Sequence, residues 1–242
     1  MISDPELVRE LLRTAPMPPV PAAHGPGIAW LRAHVPRFCD GADHRRRRAA
    51  IQRELDRLDP AALRAGAGNR AGQPLAHVRV LLDAMGLPES AAEVVAVVAA
   101  AYQPHEPVDA AADTAVVELV ALCRAAVHTD AICSERDTDT DTDRIVAQIC
   151  ILVQACSATG ELIAAARASD TGAPADRPAT IMATTPPLRS TRRVVDGTVV
   201  ELDLRHPGLG FGAGPHRCPG SAHALAIATG VVESEATRLR VS

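Results

Sequence analysis

Apolar residues recur at helical steps over most of this chain, so the pattern predicts a mainly α-helical protein. Asp4-Pro5 opens a short amphipathic helix over Glu6 to Leu12, which Pro16, Pro18, Pro19 and Pro21 end before a Pro-rich loop. Ile28 to Val35 and His44 to Leu58 continue the period, the second with Ile51, Leu55 and Leu58 on one face and arginines around the rest. Pro60 closes or restarts that helix. Leu75 to Gly86 reads as a helix with a glycine stop, Leu87-Pro88-Glu89 restarts another through Ala92 to Ala101, and Asp113 to Val127 comes next. Asp137 to Asp143 is an Asp-Thr alternation with no apolar period, so it reads as a solvated linker ending in an N-cap. The strongest helix is Arg144 to Ala168, where Ile145, Ile149, Leu152, Val153, Leu162 and Ile163 fall at helical steps. Only Val194 to Leu204 alternates with period two, and Asp196-Gly197 in its middle predicts a β-hairpin turn.

Composition narrows the picture. Of 242 residues, 47% are apolar but only 2% aromatic, so the core is built from Ala, Val and Leu. Every basic residue is Arg, none Lys, and the net charge of −4 leaves no basic domain to hold nucleic acid. The polar start Met1-Ile2-Ser3-Asp4-Pro5-Glu6 does not read as a signal, and no apolar run reads as a bilayer span, so a cytoplasmic protein with no membrane partner is expected. The six cysteines (Cys39, Cys123, Cys133, Cys150, Cys156, Cys218) have no disulfide-framework spacing. Residues 1–242 are expected to form a single domain, with 137–143 as a linker inside it.

The chemistry concentrates in Phe211-Gly212-Ala213-Gly214-Pro215-His216-Arg217-Cys218-Pro219-Gly220. One cysteine sits in a glycine-rich loop just before Ser221 to Ala228, an Ala-rich run with good helix propensity. Orphan N–H groups and the macrodipole there favour a thiolate, and the glycines let the backbone approach a flat ligand. A buried thiol in a Gly/Pro turn would leave the spacing of both glycines, the histidine and the cysteine unexplained. A zinc reading would use His206, His216, Cys218 and His223, but it lacks a paired Cys-x-x-Cys or His-x-x-x-His arm.

The pattern Phe-Gly-x-Gly-x-His-x-Cys-x-Gly resembles the haem loop of the cytochrome P450 superfamily at every specified position. The resemblance implies Cys218 as the proximal iron ligand of haem b, His216 as a propionate contact and Phe211 as the ring that shields the sulfur, with Gly212, Gly214 and Gly220 shaping the loop. It further implies that His44 and Arg48, four residues apart on one helix face, and Arg193 reach haem propionates. The helix from Arg144 resembles the family's long distal helix. On that alignment Ser157 stands at the position of the proton-relay acid and Ala158 at that of the threonine, leaving Thr159 as the hydroxyl, so Ser157 and Thr159 are the candidate catalytic residues. Thr180 and Ala183 stand where the family has its Glu-x-x-Arg ion pair, which leaves Arg205, the pair's usual third member, without partners. On this resemblance the family's N-terminal helix and strands and its meander before the haem loop have no counterpart here, and its substrate-covering helices are shortened.

These features imply a shortened cytochrome P450-like helical fold with a small β-hairpin before the haem loop. The expected activity is that of a haem-thiolate oxidoreductase, a monooxygenase or peroxide-using variant acting on a small or medium apolar metabolite of secondary metabolism. A ferredoxin-type redox partner would meet a basic proximal surface near Arg217 and Arg205. The alternative is a catalytically impaired relative that binds and activates a partner enzyme. A pruned scaffold with exposed apolar surface also favours homo-oligomers.

Overall fold

The computed structural model describes residues 1–20, 23, 25–129 and 138–241. Among them are ten α-helices: α1 (Pro5–Thr14), α2 (Ile28–His34), α3 (Gly41–Leu55), α4 (Pro60–Asn69), α5 (Ala76–Ala84), α6 (Ala91–Ala101), α7 (Ala110–Thr129), α8 (Thr138–Ala168), α9 (Arg177–Thr184) and α10 (Ser221–Val241). One antiparallel hairpin, β1 (Ser190–Val195) and β2 (Thr198–Asp203), stands between α9 and α10. The mainly α architecture read from the pattern is therefore the observed one.

Local chemistry explains the element starts. Asp4 caps α1 by accepting from the Leu7 amide at 2.8 Å, and Asp59 caps α4 by accepting from Ala61 at 3.0 Å and Ala62 at 3.3 Å. Pro60 thus restarts a helix, its missing N–H harmless at the first helical position. The hairpin is longer than its alternation showed, with Ser190 paired to Asp203 and Val195 to Thr198. At its turn both Asp196 (φ 49°) and Gly197 (φ 73°) are left-handed, as a two-residue primed turn requires. Ile2 extends the sheet edge: its N–H donates to Glu201 O at 2.7 Å and its carbonyl accepts from Asp203 N at 2.9 Å.

Helix α8 is the axis of the fold, touching α3, α5, α6, α7, α9 and α10. Ile145, Val146, Ala147, Ile149, Cys150, Leu152 and Val153 are all buried, so this half is enclosed on every side, which an amphipathic helix could not be. Two expectations change here. The stretch 138–143 is the opening of α8 rather than a linker; Asp137 lies outside the described residues. Aspartates suit a helix start because they oppose its positive end, and Asp143 also pairs with Arg46 on α3. In addition, residues Asp141–Ala168 are long and apolar enough by length and composition to cross a membrane, contrary to the sequence reading. In this fold half of that stretch is buried as the core helix.

A carboxylate fixes α8 against α3. Glu54, 6% exposed, accepts from Arg144 Nε at 3.1 Å and Gln148 Nε2 at 3.2 Å. At the other end of the core, α4 lies against α10. A second, smaller apolar cluster of Val8, Leu12, Leu202, Leu204 and Leu209 ties α1 to the hairpin and to the loop after it.

Candidate functional site

The run from β2 to α10 builds the site. Gly212 (φ 69°) and Gly214 (φ 67°) take left-handed conformations, and a Cβ on Gly214 would stand 2.8 Å from both Arg13 Cα and Leu12 O of α1. A 3-10 turn over Gly214–His216 comes next, and the Cys218 amide donates to Phe211 O at 2.9 Å, closing the loop. Only Pro219 and Gly220 separate Cys218 from α10. Burial pushes the Cys218 thiol up from its ordinary value; the Gly220 N–H, Arg48, Arg217 and Arg37 pull the other way, each favouring the thiolate.

Cys218 lines a cavity of about 240 Å³. Phe211 and Gly212 line it with the cysteine, and Ala155, Ala158, Thr159 and Leu162 of α8 contribute the small-residue wall. His44 and Arg48 enter from α3, His216 from the loop and Arg193 from β1, so these expected haem contacts all line one space with Cys218. The i, i+4 spacing of His44 and Arg48 does place both on the cavity side of α3.

The charge around this cavity is unbalanced. Arg193 is 2% exposed, with one guanidinium nitrogen donating to Thr191 Oγ1 at 3.3 Å and Arg192 O at 2.8 Å, while its buried Nε has no partner. No acid among the described residues forms an ion pair with Arg193 or Arg48. Burial lowers both guanidinium values, and at Arg193 the Asp40 charge offsets part of the effect. His44 and His216 lie ring to ring at 4.1 Å between centroids, and His216 Nε2 meets Asp40 Oδ1 at 3.1 Å. Burial, then the His216 and Arg48 charges, lower His44 to about 4. Burial lowers His216 too.

A larger cleft of about 1300 Å³ adjoins this cavity and shares Met17, Arg37, Glu161, Pro187, Leu188 and Thr191 with it. The two hollows meet along α8, and this corrects the placement of the expected relay. Ser157 is exposed and lines the outer cleft only, whereas Thr159 is buried and lines the inner cavity. Two residues apart on a helix point about 200° apart, so Ser157 and Thr159 cannot face one space. Thr159 is the hydroxyl that α8 turns into the cavity, and Ala158 beside it brings no acid there.

Thr180 and Ala183 are exposed on α9, where an ion pair would gain nothing from burial. Arg205, expected to lack partners, is paired: Nε and one terminal nitrogen donate to the two oxygens of Asp203 at 2.9 and 2.8 Å. That bond, with a backbone N–H from Arg205, holds the Asp203 carboxyl down at about 2. The zinc alternative loses its basis, because no three His, Cys, Asp or Glu side chains among the described residues gather to hold a metal ion. His223 instead donates from Nε2 to Leu55 O at 3.1 Å and Leu58 O at 3.0 Å. Glu161 was not singled out by the sequence reading. Its signal was its place three residues beyond Ala158, where a helix brings side chains together.

The residues present fit a flat dianionic ligand with a metal at its centre. A thiol at a helix start lines a cavity with small side chains of α8, and two buried or half-buried guanidiniums without ion-pair partners line it too. This arrangement, on helices around a long central one, defines a shortened fold of the cytochrome P450 type.

Solved structures carry that same fold. P450BioI, in complex with hexadec-9Z-enoic acid ligated acyl carrier protein, matches with a TM-score of 0.68 at 15% identity, over 96% of this chain and 83% of that one. Ligand-free Mycobacterium smegmatis CYP164A2 matches with a TM-score of 0.66 at 20% identity, over 96% and 82%. CxnD, a cytochrome P450 for C–S bond formation in chuangxinmycin biosynthesis, matches with a TM-score of 0.63 at 13% identity, over 94% and 77%. No protein-family model and no curated protein matches the chain in sequence. At such identities the likeness is one of fold.

Proposed function

We propose that this protein is a haem-thiolate oxidoreductase in which Cys218 is the axial ligand and Arg48, Arg193, His44 and His216 receive the haem propionates. The single observation that carries this reading is the pair of guanidiniums, Arg48 and Arg193, that line the Cys218 cavity with no ion-pair partner among the described residues. A buried cation without a counterion is expensive unless its anion comes with a ligand. Haem supplies iron whose thiolate ligand favours O–O cleavage and one-electron chemistry.

The chain's own residues set how that chemistry would proceed. The Gly220 N–H and the arginines favour the Cys218 thiolate over the thiol. Phe211, in contact with the same cavity, helps to exclude water from the sulfur. Thr159 offers a hydroxyl that can pass a proton but not originate one near neutral pH. Ala158 and Ser157 supply no acid inside the cavity, so a proton delivered there comes from elsewhere on the chain or arrives with the oxidant, as the protons of peroxide do. Substrates would be apolar molecules entering by the outer cleft, where Pro186, Leu188 and Val199 present apolar surface. P450BioI is in complex with a fatty acid ligated to its carrier protein, and a tethered acyl group is one form such a substrate could take.

The test is the absorption spectrum of the purified protein reconstituted with haem, reduced and exposed to carbon monoxide. A strongly red-shifted Soret band that Cys218→Ala abolishes is expected. Absence of haem uptake, or a spectrum indifferent to Cys218→Ala, overturns the proposal, and a stable haem-free complex with a co-expressed enzyme would favour the helper role instead.

A further inference from the structure

We infer that Glu161 is the proton carrier of this site, moving protons between the outer cleft and the inner cavity in place of the acid that α8 lacks. The inference rests on the haem-thiolate reading and extends it to a residue outside the haem loop. Glu161 lines both hollows, and it is the one carboxylate among the residues that line the inner cavity.

Helix geometry gives it this position. Taking about 100° per residue, Ile151, Gln154, Ala155, Ala158, Thr159 and Leu162 cover the inner face of α8, and Ser157 and Ala164 cover the neighbouring outer face. Glu161 falls on the seam, about 60° from Ala158. A helical side chain leans toward the N-terminus and covers the turn before its own Cα, so Glu161 leans over Ala158. The methyl group of Ala158 leaves the space that a longer side chain would fill. An acid at 161 reaches the inner cavity while one edge stays in water.

The competing groups do not serve. Gln154, on the same seam, has no proton to give and donates its amide to Cys150 Sγ at 2.7 Å. The other acids of the outer cleft are engaged: Glu106 lies 3.5 Å from His105 Nε2, and Glu201 receives the Ser190 hydroxyl. Glu161 has no ion-pair or hydrogen-bond partner among the described residues. Within the inner cavity the remaining titratable groups are the imidazoles of His44, His216 and His223, the Cys218 thiol, and the guanidiniums of Arg37, Arg48 and Arg193. Those of the cleft side are His105, Arg189, Arg192 and Arg205, besides the two glutamates. His44 enters from α3 and His216 from the loop before α10, where they lie ring to ring, and His223 is held by two carbonyls.

The experiment compares two ligands on the haem-loaded protein. Hydrogen cyanide must lose its proton to bind ferric iron: the H–C bond breaks, the proton passes to the Glu161 carboxylate, and the carbon lone pair goes to the metal. Carbon monoxide binds ferrous iron with no proton to lose. Stopped-flow absorbance of Glu161→Gln should show cyanide association slowed about tenfold or more with a flattened pH profile, and carbon monoxide association within about twofold of the parent. Glu161→Asp should recover part of the cyanide rate. Equal cyanide rates in the parent and Glu161→Gln overturn the inference, as does an equal slowing of both ligands, which would mean a merely steric role. Failure of the parent protein to take up haem or to show a thiolate spectrum sinks the haem reading itself, and this inference with it.

Discussion

Arg193→Met should move two properties in opposite directions. Arg193 is 2% exposed, with a buried Nε that bonds to nothing. An unsatisfied buried donor costs about 1–3 kcal/mol, and the desolvated charge adds to that. Methionine keeps most of the side-chain volume and forfeits the bonds to Thr191 Oγ1 and Arg192 O, a loss of about 1 kcal/mol since both acceptors keep access to other partners. The balance is a gain of about 1–2 kcal/mol, or roughly 2–8 °C in melting temperature for a chain of this size. Haem binding should weaken at the same time, because a hydrogen bond between charged groups contributes about 1.5–3 kcal/mol, or roughly 10–150-fold in affinity. Thermal melts of the haem-free protein and haem titration followed in the Soret region measure the two sides. If Arg193→Met lowers the stability of the haem-free protein, or leaves haem affinity unchanged, the claim that this cation waits for an anion is refuted.

Helix packing and the imidazole pair give two further expected outcomes. A Cβ on Gly230 of α10 would fall well inside van der Waals contact of the Arg64 carbonyl oxygen on α4, an obstacle of backbone rather than of side chain. Gly230→Ala should therefore destabilise the protein by about 2 kcal/mol even after the roughly 1 kcal/mol gained in helix propensity, and an unchanged denaturation midpoint would contradict that contact. For His44, lowered to about 4 from an ordinary value near 6.5, the unfolded chain takes up the proton first as pH falls. Stability is thus full above about pH 6.5 and declines toward about pH 4, by about 1–2 kcal/mol once screening by the water-accessible cavity is allowed for. His44→Gln should flatten that decline in urea titrations run across the window, and an unaltered slope would show that His44 does not drive it.

The helices were legible because their cause is local. Asp4 caps α1 and Asp59 caps α4 from positions just ahead of them, and the run from Ile145 to Val153 is apolar enough to declare a core helix. The Cys218 loop was legible for a different reason: Gly212, Gly214 and Cys218 occupy backbone and chemical roles that few other residues can fill at that spacing. The features that escaped were set by distant partners. The aspartates of 138–143 look like linker in isolation, and only Arg46 across the α3 contact shows why they suit a helix start. Ser157 was misplaced by a one-residue register choice, which on a helix swings a side chain from one hollow to the other. The separation of about 200° between Ser157 and Thr159 was already available in the sequence and would have parted them. Arg205 found its acid two residues away, a pairing that the search for a distant ion-pair partner passed over.

The outer cleft has one more consequence. At about 1300 Å³ it exceeds the roughly 300–1000 Å³ of most small-molecule sites. A narrow pocket rejects a ligand that is too big; this one would reject a ligand that is too small. A compact metabolite lying loose in it would keep most of its hydration and dissociate quickly, whereas a long or branched molecule could cover Pro186, Leu188 and Val199 together and stay long enough to react. Chain length in a homologous series of ligands should therefore lengthen residence time, and selectivity in this fold would be enforced by dissociation rather than by entry.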